Sequence, residues 1–336
     1  MMRLLHAPLV THSLAAAAEL GVADVLADGP RTVEELATLV GAEPGPLYRM
    51  LRTLASAGVF RQVAPRVFGT TPLADKLRAD DEGSLRNWAR LWGLPERQAA
   101  VAGLLHSVRT GRPAFEDLHG TTWWAHLKAH PAQAAVFGAA MGELARHLHA
   151  AAMESYDLSG VRVLVDVGGG EGHLVAAVLE RYPAMSAIVH DRPEVVRDTV
   201  ALLAAAGIAG RARAVPGDFF RAVPKGGDAY LLSMILHDWN DDQCVALLRN
   251  VRRVLPPGGL VLVIDAVVPE DDAPHDGKLR DILMLALHPG RERSEAEFAA
   301  LFARAGLRHL ETRAVSASTG LLVAVRDGAG QEDPRR

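Results

Sequence analysis

Residues 161–183 read VRVLVDVGGGEGHLVAAVLERYP, a β-branched apolar run, a glycine cluster and then an Ala/Leu-rich helical stretch closed by Pro183. The run Val161 to Val167 has the character of a fully buried parallel strand. It ends in Asp166 and in Gly168, Gly169, Gly170 and Gly172. Strand, glycine turn and helix is the arrangement by which an open α/β sheet holds a nucleotide-like ligand at the end of its first strand. Glycine is needed where the turn is tight and the ligand approaches the backbone.

The spacing narrows the ligand. A dinucleotide fingerprint counted from Gly168 and Gly170 needs its third glycine at position 173, which is His173, and no Lys-Ser/Thr follows to make a phosphate loop. What stands here is DxGxGxG, Asp166 through Gly168 and Gly170 to Gly172. A second apolar run, SAIVHD, ends in Asp191, placed to accept the hydroxyls of a ribose. A third, AVPGDFF, offers Asp218 to an adenine amino group and Phe219 to the face of the ring.

These three acidic tips with DxGxGxG resemble the class I S-adenosylmethionine-dependent methyltransferases, whose cofactor carries ribose and adenine but no phosphate. The resemblance implies S-adenosylmethionine as cofactor and S-adenosylhomocysteine as product.

Downstream, strand-like and helix-like segments alternate. The expected strands are 162–167, 186–190, 211–215, 228–233, 260–265, 308–315 and 320–326. A turn at Ser318-Thr319-Gly320 is too short for a crossover helix, so the last two strands must be antiparallel. The fold class is α/β, and this order with its C-terminal antiparallel hairpin resembles the seven-stranded Rossmann-like methyltransferase sheet.

Ahead of it, a helix over about residues 13–27, a capping box from Thr32 to Glu35, a stop at Gly41 and a helix opened by Pro44 and Pro46 lead into two short strands. That order makes a mainly helical winged-helix unit. A rival reading follows from it, a ligand-sensing DNA-binding regulator. Between Arg31 and Asp80 there are seven basic and five acidic side chains, too small an excess to neutralise several phosphates. The unit resembles instead the dimerisation domain of small-molecule O-methyltransferases of the plant caffeate and antibiotic-pathway type. The expected domains are 1–95 for this unit, 96–156 for helical linker and lid segments, 157–327 for the catalytic domain and 328–336 for a disordered tail. Trp123, Trp124, Phe137 and Met141 in the helical segment are read mainly as core, and His147 and His149 as solvent-facing.

Methyl transfer from a sulfonium is an in-line displacement, so the protein must place the acceptor and remove its proton. The segment AYLLSMILHDWNDDQC ends a strand, presents His237 at its tip and opens a helix capped by Asn240 and Gln243. An imidazole of ordinary pKa would be part neutral near pH 7 and able to take a phenol proton. LHDW also matches the catalytic motif of the resembled family. By resemblance Asp265, closing LVLVIDAVVP, and Glu292, in HPGRERSEAEF, flank the catalytic histidine. The family usually has Glu at the first position, and the shorter Asp265 leaves its reach to His237 open.

By the same resemblance Ser233 stands where plant members carry an adenosine-holding Lys, and His288 where an acceptor-contacting Asn sits. Asp238, Met141 and Met284 join His288 as expected acceptor contacts. Asp238, Asp241 and Asp242 are read as helix-start acids that favour the dipole, with no metal expected.

Bulk composition agrees. With 336 residues, 49% of them hydrophobic, two cores are affordable, and a net charge of −4 gives no general attraction to nucleic acid or anionic membrane. The single cysteine, Cys244, excludes an internal disulfide and any multi-cysteine metal site, which suits the cytoplasm. The reading is a homodimeric, metal-independent O-methyltransferase of secondary metabolism that acts on a small, aromatic hydroxylated acceptor, with no nucleic acid or membrane partner. Its alternative within the fold is a relative diverted to hydroxylation or decarboxylation.

Overall fold

A computed structural model describes residues 1–327, leaving out the side chains of residues 146–150, 153 and 198 within helices. The expected tail 328–336 and the side chains of His147 and His149 lie outside the described residues. The chain forms two compact units, Met1–Ala99 with Trp124–Leu144, and Ala100–Trp123 with Ala145 onward.

In the first unit a continuous helix, Met2–Leu20, replaces the expected one over 13–27. It stops because Gly21 takes a left-handed conformation (φ 67°) and donates its N–H to the carbonyls of Ala17 and Ala18. The strand β1 (Arg31–Thr32) leads into the helix Val33–Val40, where Thr32 and Glu35 form the capping box read from sequence. After the helix Pro44–Ser56 come β2 (Arg61–Ala64) and β3 (Val67–Gly69), an antiparallel hairpin in a sheet of order β1-β3-β2. Leu36, Leu47, Leu51, Leu54, Phe60 and Phe68 close its core. This is a winged-helix arrangement. The helical stretch that follows breaks at Gly93, Gly103, Gly111 and Gly120.

The second unit is built on β4 (Val163–Val167), β5 (Ser186–Asp191), β6 (Ala212–Pro216), β7 (Ala229–Ser233), β8 (Leu260–Ala266), β9 (Leu307–Ala314) and β10 (Thr319–Arg326). Their order is β6-β5-β4-β7-β8-β10-β9. The first five run parallel, and β10 is antiparallel to both β8 and β9. The hairpin turn falls just before β10, where Ser316 Oγ accepts the N–H groups of Ser318 and Thr319, so Thr319 and Gly320 belong to the strand. Val165, Tyr230, Leu232 and Val263 are buried on the sheet against Leu248, Val251, Phe298 and Phe302 from flanking helices. Strand order reverses between β4 and β7, which opens a crevice at their carboxyl ends. The cofactor-side and catalytic residues discussed below lie at or near that crevice.

Candidate active site

The three motif glycines all adopt left-handed backbone conformations, with φ of 78° at Gly168, 56° at Gly170 and 88° at Gly172. Gly172 is also the N-cap of the helix His173–Arg181. Gly169 was not part of the motif, yet it is as constrained: a Cβ there would lie 2.5 Å from Asp166 Oδ2. At Gly170 the same construction meets nothing within 4 Å, so the bend is open above that residue. Asp166 is buried below the bend, and neither of its carboxylate oxygens accepts a hydrogen bond among the described residues. Burial, reinforced by the Asp191 charge, pushes its pKa up to about 7.

Asp191 ends β5 and ties the bend down. Its Oδ2 accepts from Gly170 N at 2.9 Å and its Oδ1 from Arg192 N at 2.7 Å. Each oxygen keeps a second lone pair, the capacity that a ribose diol requires. Asp218 is exposed and accepts from Phe220 N at 2.9 Å, while half-buried Phe219 reaches toward Gly168 and stacks edge-on with Phe220. Ser233 is the half-buried last residue of β7. An orphaned buried carboxylate under an open glycine bend, with a free-sided acid on the next strand tip, fits a cationic adenosyl cofactor.

Beyond Ser233 the chain turns sharply. Met234 sits at φ 56°, a strained conformation for a residue with a side chain, and its N–H bonds to Ile264 of β8. A 3₁₀ turn, Leu236–Asp238, then presents His237, buried at 7% exposure. His237 Nδ1 lies 3.1 Å from Glu292 Oε1 and 3.2 Å from Asp265 Oδ1. Asp265 therefore reaches His237 despite its missing methylene. Its other oxygen accepts the His237 backbone N–H at 3.3 Å. Nε2 remains on the opposite edge, 3.5 Å from Asp238 Oδ1, and His288 Nε2 lies 3.8 Å from that same oxygen.

Asp238 is thus a buried member of the turn rather than a helix-start acid. Met284 and His288 are both buried, at the end of the helix Asp276–Leu287 and just past it. Met141 belongs to the first unit, half-buried on the helix Pro131–Ser155.

The electrostatics correct one expectation. Burial disfavours the charged imidazole, but Asp265, Glu292 and Asp238 outweigh it and raise the His237 pKa to about 10. The resting ring is therefore an imidazolium at neutral pH, not part neutral. Burial lifts Asp238 to about 7 and Asp265 to about 6, whereas for Glu292 burial is overcome by His237, Arg280 and Arg293, which hold it low.

Three determinants were not visible in the sequence. Arg293 has no exposed surface, and its guanidinium donates to the carbonyls of Leu236 (2.9 Å) and Trp239 (2.8 Å) and to Asp241 Oδ1 (2.8 Å). It clamps both ends of the His237 turn. Its own backbone is held beside β8, where Val268 N donates to Arg293 O at 2.9 Å. The strained Met234 is the second. Gly290 is the third: a Cβ there would fall 2.0 Å from the His237 carbonyl oxygen, so loop and turn pack backbone on backbone.

Gly290→Ala is expected to cost about 1–3 kcal/mol by overpacking and to move His237 off Glu292. A lower thermal midpoint together with lower turnover would show it, and wild-type values of both would contradict it.

An open bend suited to a nucleoside without phosphates, with an imidazole gripped at Nδ1 by two carboxylates, points to the class of S-adenosylmethionine-dependent methyltransferases. Residues 102–308 match the O-methyltransferase domain and residues 2–80 the O-methyltransferase dimerisation domain. The chain belongs to this O-methyltransferase family. It is 42% identical to phenazine O-methyltransferase PhzM of Lysobacter antibioticus, over 88% of this chain and 87% of that protein. The solved structure of LaPhzM superposes with a TM-score of 0.93 at 39% identity, covering 97% of this chain and 98% of that one. NcsB1, an O-methyltransferase from neocarzinostatin biosynthesis, was solved with S-adenosylhomocysteine and 1,4-dihydroxy-2-naphthoic acid. It superposes with a TM-score of 0.80 at 34% identity over 94% of this chain and 95% of its own.

Proposed function

We propose that this protein moves the methyl group of S-adenosylmethionine to a hydroxyl of a small aromatic acceptor, with His237 as general base. The observation that carries the reading is the two-carboxylate grip on Nδ1, which leaves Nε2 alone to meet the acceptor. The cofactor supplies an electrophilic methyl on a positive sulfur. Asp191 would hold its ribose, Asp218 and Phe219 its adenine, and Asp166 and Ser233 would line the crevice beside it. Asp238 and His288, with Met284 behind them, would orient the acceptor. Glu292 and Asp265 then stabilise the imidazolium formed as the proton leaves the attacking oxygen.

His237, Asp265 and Glu292 also offer atoms within 4.8 Å of one another, a group able to ligate a cation. We assign the carboxylates to the imidazole, since both lie against Nδ1, at 3.1 and 3.2 Å. Transfer of labelled methyl to a panel of phenols tests the reading: turnover that survives exhaustive EDTA treatment is expected. No transfer to any phenol, or transfer restored only by an added metal, would contradict it.

The protein is further read as a cytoplasmic homodimer without nucleic-acid or membrane partners. No described helix is long and apolar enough to cross a membrane. Met2, Leu5 and Leu9 share one face of the first helix and are 62%, 64% and 63% exposed, an apolar stripe that suits a second copy. Light scattering should give a dimer for the wild type and a monomer for Leu5→Asp/Leu9→Asp. A dimeric variant would place the contact elsewhere.

A further inference from the structure

Among the described residues, one buried cation of the first unit is paired with no anion. Arg97, on the helix Pro95–Ala102, is 4% exposed. Its guanidinium carbon lies 4.7 Å from the ring centre of Trp92 and 5.8 Å from that of Trp88. Both indoles project from the helix Arg86–Trp92 and are half-buried. Among the described residues no hydrogen bond or ion pair reaches the guanidinium, and its Nε is fully buried without a partner.

Two acids on neighbouring segments are engaged elsewhere. Glu143 accepts the backbone N–H groups of Asn87 and Trp88, and Glu96 Oε1 accepts from Gln133. Desolvation by burial pulls the Arg97 pKa down to about 10, with no carboxylate acting to restore it.

A guanidinium removed from water is normally paired, because desolvation costs more than indole faces return. Cation–π contact explains the orientation of Arg97 but leaves its planar donor fork empty. That fork matches a carboxylate through two parallel hydrogen bonds, and the flanking indoles match a flat ring.

We propose that Arg97, between Trp88 and Trp92, forms a binding site for the carboxylate of a planar aromatic acid. The site stands within the first unit and does not depend on the methyl-transfer reading. Its geometry selects charge and flatness together, so an aromatic acid should bind where the corresponding amide does not.

Calorimetry on the full chain with 1-naphthoate and 1-naphthamide separates these features. The wild type is expected to bind naphthoate at least about tenfold tighter, the worth of a charge-assisted pair, with the preference weakening as salt rises. Arg97→Met should erase the preference while leaving naphthamide binding unchanged. It should also raise the thermal midpoint, since an isosteric apolar side chain removes an uncompensated buried charge.

Equal affinity for the two probes in the wild type, or a preference that survives in Arg97→Met, would overturn the proposal. The wild-type comparison needs no variant, so a misfolded substitution leaves the test intact. A failure of S-adenosylhomocysteine binding would count against the methyl-transfer reading alone.

Discussion

His237→Ala should lower kcat by about 10²–10⁴-fold, the range for loss of a positioned general base, while S-adenosylhomocysteine affinity stays within twofold of wild type. The separation of effects follows from the geometry. His237 is fixed by Asp265, Glu292 and the Arg293 clamp, whereas the glycine bend is tied down by Asp191. The residual rate of the variant should climb about tenfold per pH unit below the acceptor's own pKa, because only acceptor already ionised in solvent can then attack. Equal turnover by the two proteins would remove His237 from the mechanism.

The second large effect is on the pH profile. With the resting His237 pKa near 10, kcat/KM should rise with pH from 7 toward 10, following the neutral fraction of the imidazole in the free enzyme. Removing one carboxylate destabilises the imidazolium, so Glu292→Gln should shift that limb downward by about 1–3 pH units. The maximum rate should also fall, since the product imidazolium is less well held. Ionisation of the acceptor gives a similar limb, but one that a substitution at Glu292 leaves in place. A profile identical in the two enzymes would show that the limb belongs to the acceptor.

The sheet was legible because buried parallel strands are written as apolar runs that stop at glycine or aspartate. All seven expected strands lie within one residue of the observed ends. The capping boxes at Thr32 and Asn240 were equally plain, since each is a local motif whose partners lie three residues apart. The end of the first helix was not, because Gly21 stops it ahead of the expected residue 27.

At the site, identity was easier to read than state. His237, Asp265 and Glu292 were named from their motifs, but the charge on the ring depends on the adjacent Asp238 together with carboxylates from two distant segments. Arg293 and Gly290 carried no signal of their own in the sequence. Their roles arise where one loop lies flush on another, and no periodicity or spacing records such contact.

The most direct measurement is a crystal structure with S-adenosylhomocysteine. The ribose hydroxyls are expected on Asp191, the adenine beside Asp218 and Phe219, and the sulfur above the Gly168–Gly172 bend, turned toward Nε2 of His237. A nucleoside bound elsewhere, or a sulfur facing away from that imidazole edge, would contradict the account.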